Sequence, residues 1–229
     1  ASSSAVEVTG KMEEESAALP CLEAERDALA QQFATRPVWL AVALPEAEET
    51  AVMAAHRAAL RLAHRLLLIV VPQDPARAEG LAQRMEAEEG WAVALRSADQ
   101  EPDTKTEVYI ADNASEYGLW YRLAPIAFMG GSLAGNGCAR DPLEAAALGS
   151  AILYGPRPGA YGTTFGRLGA ARAARAVGSQ ADLAEALGDL LSPDRAARLA
   201  QAAWAVASDG AEVTDRVVAL IRHVMDGQG

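Results

Sequence analysis

The stretch GGSLAGNGCARDPLEAAALGSAILYGP, running from Gly130 to Pro156, gathers residue types suited to holding a phosphorylated ligand. Gly130, Gly131, Gly135 and Gly137 fall within eight residues, directly after the apolar run Ile126, Ala127, Phe128, Met129. Glycines in that number let backbone approach a ligand closely or adopt positive φ. Asp141-Pro142-Leu143-Glu144 then reads as an N-cap, a proline at the first helical position and a glutamate at the third, a complete capping box. Capping alone does not need four glycines upstream. Free N–H groups there would accept phosphate, and the Glu144 carboxylate would accept ribose hydroxyls. Ser132 lacks a G-x-S-x-G setting, which argues against a hydrolase nucleophile.

Three other loops end apolar runs. Ala43 to Glu49 contains no glycine, so the G-x-G-x-x-G approach to a pyrophosphate is absent, which counts strongly against a dinucleotide oxidoreductase. Glu46, Glu48 and Glu49 read as acids of a first helical turn, complementing its dipole. Asp74-Pro75 is a helix start in its own right, and only its location keeps the adjacent Gln73 as a site candidate. Asp112 or Asn113 would cap a helix from Glu116, whose first N–H groups would face a phosphate or a base edge. His56, His64 and His223 fall in predicted helices without a nucleophile nearby, and Cys21 and Cys138 have no metal-ligand spacing.

These loops are placed by an alternation of elements. Apolar runs at 38–42, 66–71, 91–95, 108–110, 126–129, 151–154 and 174–177 alternate with helical spacing at 48–64, 75–88, 116–123, 141–148 and 160–168. Helices at 22–33, 180–191, 194–208 and 211–225 complete the pattern. Continuous short apolar runs are strands buried on both faces, and intervening helices make the crossovers parallel. The expected fold is a Rossmann-like doubly wound α/β sheet of about six strands, with ligands beyond the strands' carboxyl ends. Residues 1–20 read as a flexible polar segment, with a short edge strand near Val6 to Gly10 as an option, and residues 21–229 as one domain. Twenty basic residues against 31 acidic ones give a net charge of −11, which argues against a nucleic-acid surface. The start shows no signal-peptide pattern, and no apolar stretch approaches the ~20 residues of a membrane span.

In motif order the chain resembles the C-terminal half of 3-deoxy-D-manno-octulosonic acid (Kdo) transferases, GT-B glycosyltransferases that move Kdo from CMP-Kdo onto lipid A precursors. That family carries V-T-G-N, A-S-T-H-x-G-E-E, P-R-H-P-E-R, D-T-M-G-E-L and V-G-G-S-L…G-G-H-N-P-L-E-P…G-P. The matching stretches are VTGK at 8–11, AVALPEAEE at 41–49, PQDPAR at 72–77, DNASEYGLWY at 112–121, MGGSL at 129–133, CARDPLEA at 138–145 and YGP at 154–156. Departures are equally plain. Ala43, Leu44 and Pro45 replace Ser-Thr-His, Gln73 and Asp74 replace Arg-His, Asn113, Ala114 and Ser115 replace Thr-Met-Gly, and Arg140 and Asp141 replace His-Asn. Kept are Glu46, Glu48, Glu49, Arg77, Asp112, Glu116, Gly130, Gly131, Ser132, Pro142, Leu143 and Glu144.

The resemblance implies a CMP-Kdo-binding domain, with Gly130, Gly131 and Ser132 forming a phosphate cradle and Glu144 holding the ribose. Ser115 and Glu116 would approach the cytidine, and Glu46 would lie near the donor. Arg140 and Arg157 are candidates for the cation lost with Arg-His, since a guanidinium suits phosphate geometry. It also implies a cytoplasmic domain, using no metal or cofactor and touching neither membrane nor nucleic acid. The other half of the enzyme would carry the acceptor site for the lipid A precursor, the catalytic carboxylate and the anchor to the cytoplasmic face of a bacterial inner membrane, so this domain alone would be inactive. Lost motifs leave two alternatives open: a degenerate, non-catalytic domain binding a partner or another ligand, and a GT-B enzyme using a different nucleotide sugar.

Overall fold

The computed structural model describes residues 19–113 and 115–226. The expected edge strand near Val6, the VTGK stretch, most of the 1–20 segment and Ala114 lie outside the described residues. The chain forms seven parallel strands: β1 Val38–Leu44, β2 Leu67–Pro72, β3 Val93–Leu95, β4 Val108–Ile110, β5 Ile126–Met129, β6 Ala151–Tyr154 and β7 Arg175–Ala176. Their spatial order is β3-β4-β2-β1-β5-β6-β7. The sheet therefore has seven strands rather than about six. The run at 174–177 contains β7, which is only a two-residue edge strand whose residues are not fully buried.

Among the described residues eight α-helices accompany the strands: α1 Glu23–Phe33, α2 Glu46–Leu60, α3 Ala78–Glu89, α4 Tyr117–Leu123, α5 Pro142–Ala147, α6 Gly162–Ala170, α7 Gln180–Leu190 and α8 Pro193–Asp226. Helices cover both faces of the sheet, as parallel crossovers require. On β1, Leu40 and Val42 enter one core with Leu67, Ile69 and Trp120, while Trp39 and Ala41 enter the other with Leu68, Val70 and Leu183. Each buried Leu or Val removes enough apolar surface to contribute about 2 kcal/mol. The continuous run Val38 to Leu44 is thus the only pattern that fits the middle of such a sheet.

Two helical expectations change. The segments 194–208 and 211–225 join into the single helix α8, because Asp209-Gly210 supplies no proline and no helix-stopping cap between them. His64 lies in the turn between α2 and β2, where α2 ends at Leu60. Expected helices at 75–88 and 160–168 begin instead with short 3-10 turns, Pro75–Arg77 and Gly159–Tyr161.

β1 lies between β2 and β5, so the chain leaves it in one direction and later returns to its other side. Such a reversal leaves a crevice at the carboxyl ends of the two strands. The loop after β1 and the glycine loop after β5 meet there.

His56 of α2 is buried at the back of one core. Its Nδ1 accepts from Trp39 Nε1 at 3.1 Å, so Nε2 carries the proton and donates to the Glu107 carbonyl, also at 3.1 Å. Burial pushes the imidazole down to about 3, against ~6.5 in the unfolded chain. Between those values the unfolded state binds the extra proton, so stability is full above the unfolded value and falls as pH drops below it. Denaturant melts at pH 7 and pH 5 are expected to differ by about 2 kcal/mol from this group. In His56→Gln that part of the pH dependence disappears.

Candidate functional site

The glycine loop is packed on its neighbours by backbone. Gly130 donates to the Val42 carbonyl at 2.8 Å, and a Cβ on Gly130 would stand 2.1 Å from that oxygen. Gly131 has φ +83°, in the left-handed region that glycine adopts freely. Gly137 donates back to Gly131 O at 3.0 Å, and Ala139 to Gly130 O at 3.3 Å. Ser132 is buried: its Oγ donates to Met129 O and accepts from Gly155 N at 2.8 Å, tying the β5 loop to the β6 loop. Arg157 reinforces that tie through Gly135 O at 3.0 Å and through backbone bonds to Ser132 and Cys138.

The N–H groups of this loop are occupied from inside the protein. Glu48 Oε1 accepts from Leu133, Ala134 and Gly135 N–H at 2.7, 2.8 and 3.1 Å, and Oε2 accepts from Gly131 N–H at 2.8 Å. The side chain is fully buried. The expected phosphate cradle of Gly130, Gly131 and Ser132 therefore has a carboxylate in it, and Ser132 faces the interior. Glu48 and Glu49 lie in the first helical turn, as the sequence reading has it, and what that reading lacks is their burial. The signal that finds them is helical phase: Glu48, Val52, Ala55 and Ala59 share one buried stripe, as do Glu49 and Met53. Glu49, 2% exposed, binds Arg77 at 2.9 and 3.1 Å and Arg84 at 3.4 Å. The exposed Glu46 also pairs with Arg77, at 3.1 Å.

A polar cluster stands where the glycine loop enters α5. Asp141 caps the helix by accepting from Leu143 N–H at 2.9 Å. Glu144 does not reach back as a capping box requires. It pairs with Arg140 at 2.7 and 3.0 Å and accepts from Tyr121 Oη at 3.4 Å. The guanidinium is a stronger partner than a lone amide, which explains the difference. Arg140 also lies over the Tyr117 ring, 4.2 Å from its centre. Burial raises the Glu144 carboxyl above the ordinary carboxylate range, only partly opposed by Arg140. Burial likewise pushes the Tyr117 phenol up to about 12 and the Cys138 thiol up to about 11, which leaves neither ionised near neutrality.

The remaining candidates are not brought into this cluster. Glu116 binds Arg96 at 2.5 Å, and Arg96 also pairs with Glu25. Ser115 is exposed and closes a turn on Asn113 Oδ1 at 2.7 Å. Gln73 is exposed at the end of β2, where its N–H donates to Leu44 O. A cavity of about 390 Å³ opens at the opposite end of the central strands, among Pro37, Val38, Pro125, Ile126, Leu191 and Ala197. That apolar lining at the strands' amino ends does not suit a nucleotide. Among the described residues no cluster of His, Cys, Asp and Glu could hold a metal ion, and no helix is long and apolar enough to cross a membrane.

Seven parallel strands, helices on both faces and a glycine loop at the switch point define a doubly wound Rossmann-like domain, a fold that matches one half of a GT-B glycosyltransferase. Within that class the chain is a relative of the C-terminal part of 3-deoxy-D-manno-octulosonic acid transferases. It is 28% identical over 193 residues to the enzyme of Haemophilus influenzae, covering 83% of this chain and 45% of that one. It is 33% identical over 174 residues to the enzyme of Bordetella pertussis, covering 72% and 38%. The C-terminal CMP-Kdo binding domain of WaaA from Acinetobacter baumannii has the same fold, with a TM-score of 0.72 and 26% identity over 80% of this chain and 96% of that one. The chain spans less than half the length of the two transferases. No protein-family model matches it.

Gly130→Ala places a methyl group against two backbone carbonyls that cannot retreat without breaking the β1–β5 pairing. A loss of about 3 kcal/mol or more is expected in a denaturant melt. Gly80→Ala, an open helical position, is the control and is expected to be neutral or stabilising by about 1 kcal/mol.

Proposed function

We propose that this chain is the donor-binding half of a Kdo transferase and that it holds CMP-Kdo at the carboxyl ends of β1 and β5. The observation that carries the reading is its alignment with nearly the whole of a CMP-Kdo binding domain, with the glycine loop and Glu144 at the switch point. Glu144 takes the ribose hydroxyls. Arg140, already on the same helix start, meets the phosphate. As CMP leaves, the bond from its phosphate oxygen to the anomeric carbon breaks while the acceptor hydroxyl forms the new one. A cation beside the departing phosphate stabilises that charge.

The acceptor in this reading is a lipid A precursor in lipopolysaccharide synthesis, bound with the catalytic base by the other half of the enzyme at the cytoplasmic face of an inner membrane. No metal or cofactor is required. A second reading, a diverged domain that binds no nucleotide, is favoured by one observation: Arg140 and Glu144 satisfy each other.

Calorimetric titration with CMP, with UMP and AMP as controls, separates these readings. Saturable CMP binding is expected, weaker by about tenfold in both Glu144→Ala and Arg140→Ala, the loss of one charge-assisted hydrogen bond. Equal affinity for UMP points to a different nucleotide sugar. Absence of binding by any nucleotide to the folded protein overturns the proposal in favour of the diverged domain.

A further inference from the structure

We infer that Glu48 is the resident anion of the glycine loop: a positioning residue whose carboxylate fixes the loop's shape, so that the amides of Gly131, Leu133, Ala134 and Gly135 are not a phosphate cradle. Four backbone N–H groups converging on one point form a nest, a concavity that favours an anion. Here all four end on one carboxylate at 2.7–3.1 Å. The side chain is wholly buried from bulk solvent. A buried carboxylate without donors is prohibitively costly, and four buried donors without an acceptor are costly too. Each side of the contact requires the other.

The location gives the contact its role. Glu48 stands two residues into α2, immediately after β1, and its partners follow β5. It therefore links the two strands that flank the switch point, across the line where a ligand has to sit. The loop's outer side, from Gly137 to Asp141, leads directly to Arg140 and Glu144. An anionic ligand at this crevice meets Arg140 on a loop whose own positive N–H groups are already neutralised.

Amide hydrogen exchange reads the contact directly. In the wild-type protein the amides of Gly131, Leu133, Ala134 and Gly135 are expected to exchange slowly, and in Glu48→Ala rapidly. Acetate, which replaces the atoms removed by that substitution, is expected to restore protection and melting temperature, whereas neutral acetamide is not. Glu48→Gln covers the case in which Glu48→Ala does not fold. Its carboxamide oxygen keeps the three acceptances of Oε1, while its N–H groups face Gly131 N–H, so protection is expected to fall at Gly131 alone. Unchanged protection in a folded Glu48→Ala, rescue by acetamide equal to that by acetate, or uniform loss in Glu48→Gln would each overturn the inference.

One further arm rests on the nucleotide reading. Where the wild type binds CMP, Glu48→Ala is expected to weaken it by about tenfold, with recovery in acetate. Unaltered CMP affinity in that variant counts against positioning. A wild type that binds no nucleotide refutes the proposed function, and the exchange experiment still decides the role of Glu48.

Discussion

Burial of a full negative charge with only peptide dipoles around it is the constraint that organises the ligand end of this sheet. The Glu48 carboxylate is tolerated because Gly131, Leu133, Ala134 and Gly135 all turn their N–H groups toward it. That in turn requires positive φ at Gly131, bare backbone at Gly130 against Val42, and the return of Gly137 onto Gly131. The glycines that suggest a ligand in the sequence are thus explained first by an internal one. Ser132 and Arg157 extend the same ordering to the loop after β6.

A division of labour follows at the switch point. Interior polar contacts keep the two strand ends in register, and the cluster of Arg140, Asp141 and Glu144 stands where the loop turns into α5. Of the acids and arginine kept in the other resembling motifs, Glu46 is exposed, whereas two pairs fall on the interior side of that division. Glu49 with Arg77 bridges α2 to the end of β2, and Glu116 with Arg96 ties the start of α4 to the β3 edge. These pairs are architectural as they stand, which shows that retention of a motif residue can preserve a scaffold as readily as a contact with substrate.

The sequence exposed the sheet better than the site. The runs at 108–110, 126–129 and 151–154 coincide with β4, β5 and β6, because strands buried on both faces leave little room for polar residues. β7 is short and half-covered, so the run at 174–177 marks its place and overstates its length. Capping at Asp141 was legible because it is local. The partner of Glu144 was not, since an ion pair to Arg140 and a helix cap are both within reach of the same side chain. Glu48 was the largest omission: its four partners lie more than eighty residues downstream, and only its phase with Val52 and Ala55 hinted at burial.

The β1–β5 pairing also sets an order of events during synthesis. Trp39 and Ile126 are partners in the middle of the sheet, so one edge of β1 stays unpaired until β5 has been made. Glu48 meets the same delay, since its donors arrive only with residues 131–135. Until the ribosome has passed them, α2 cannot seat its first turn without stranding a charge. Completion of β1's second edge and burial of that carboxylate thus wait on the same downstream segment.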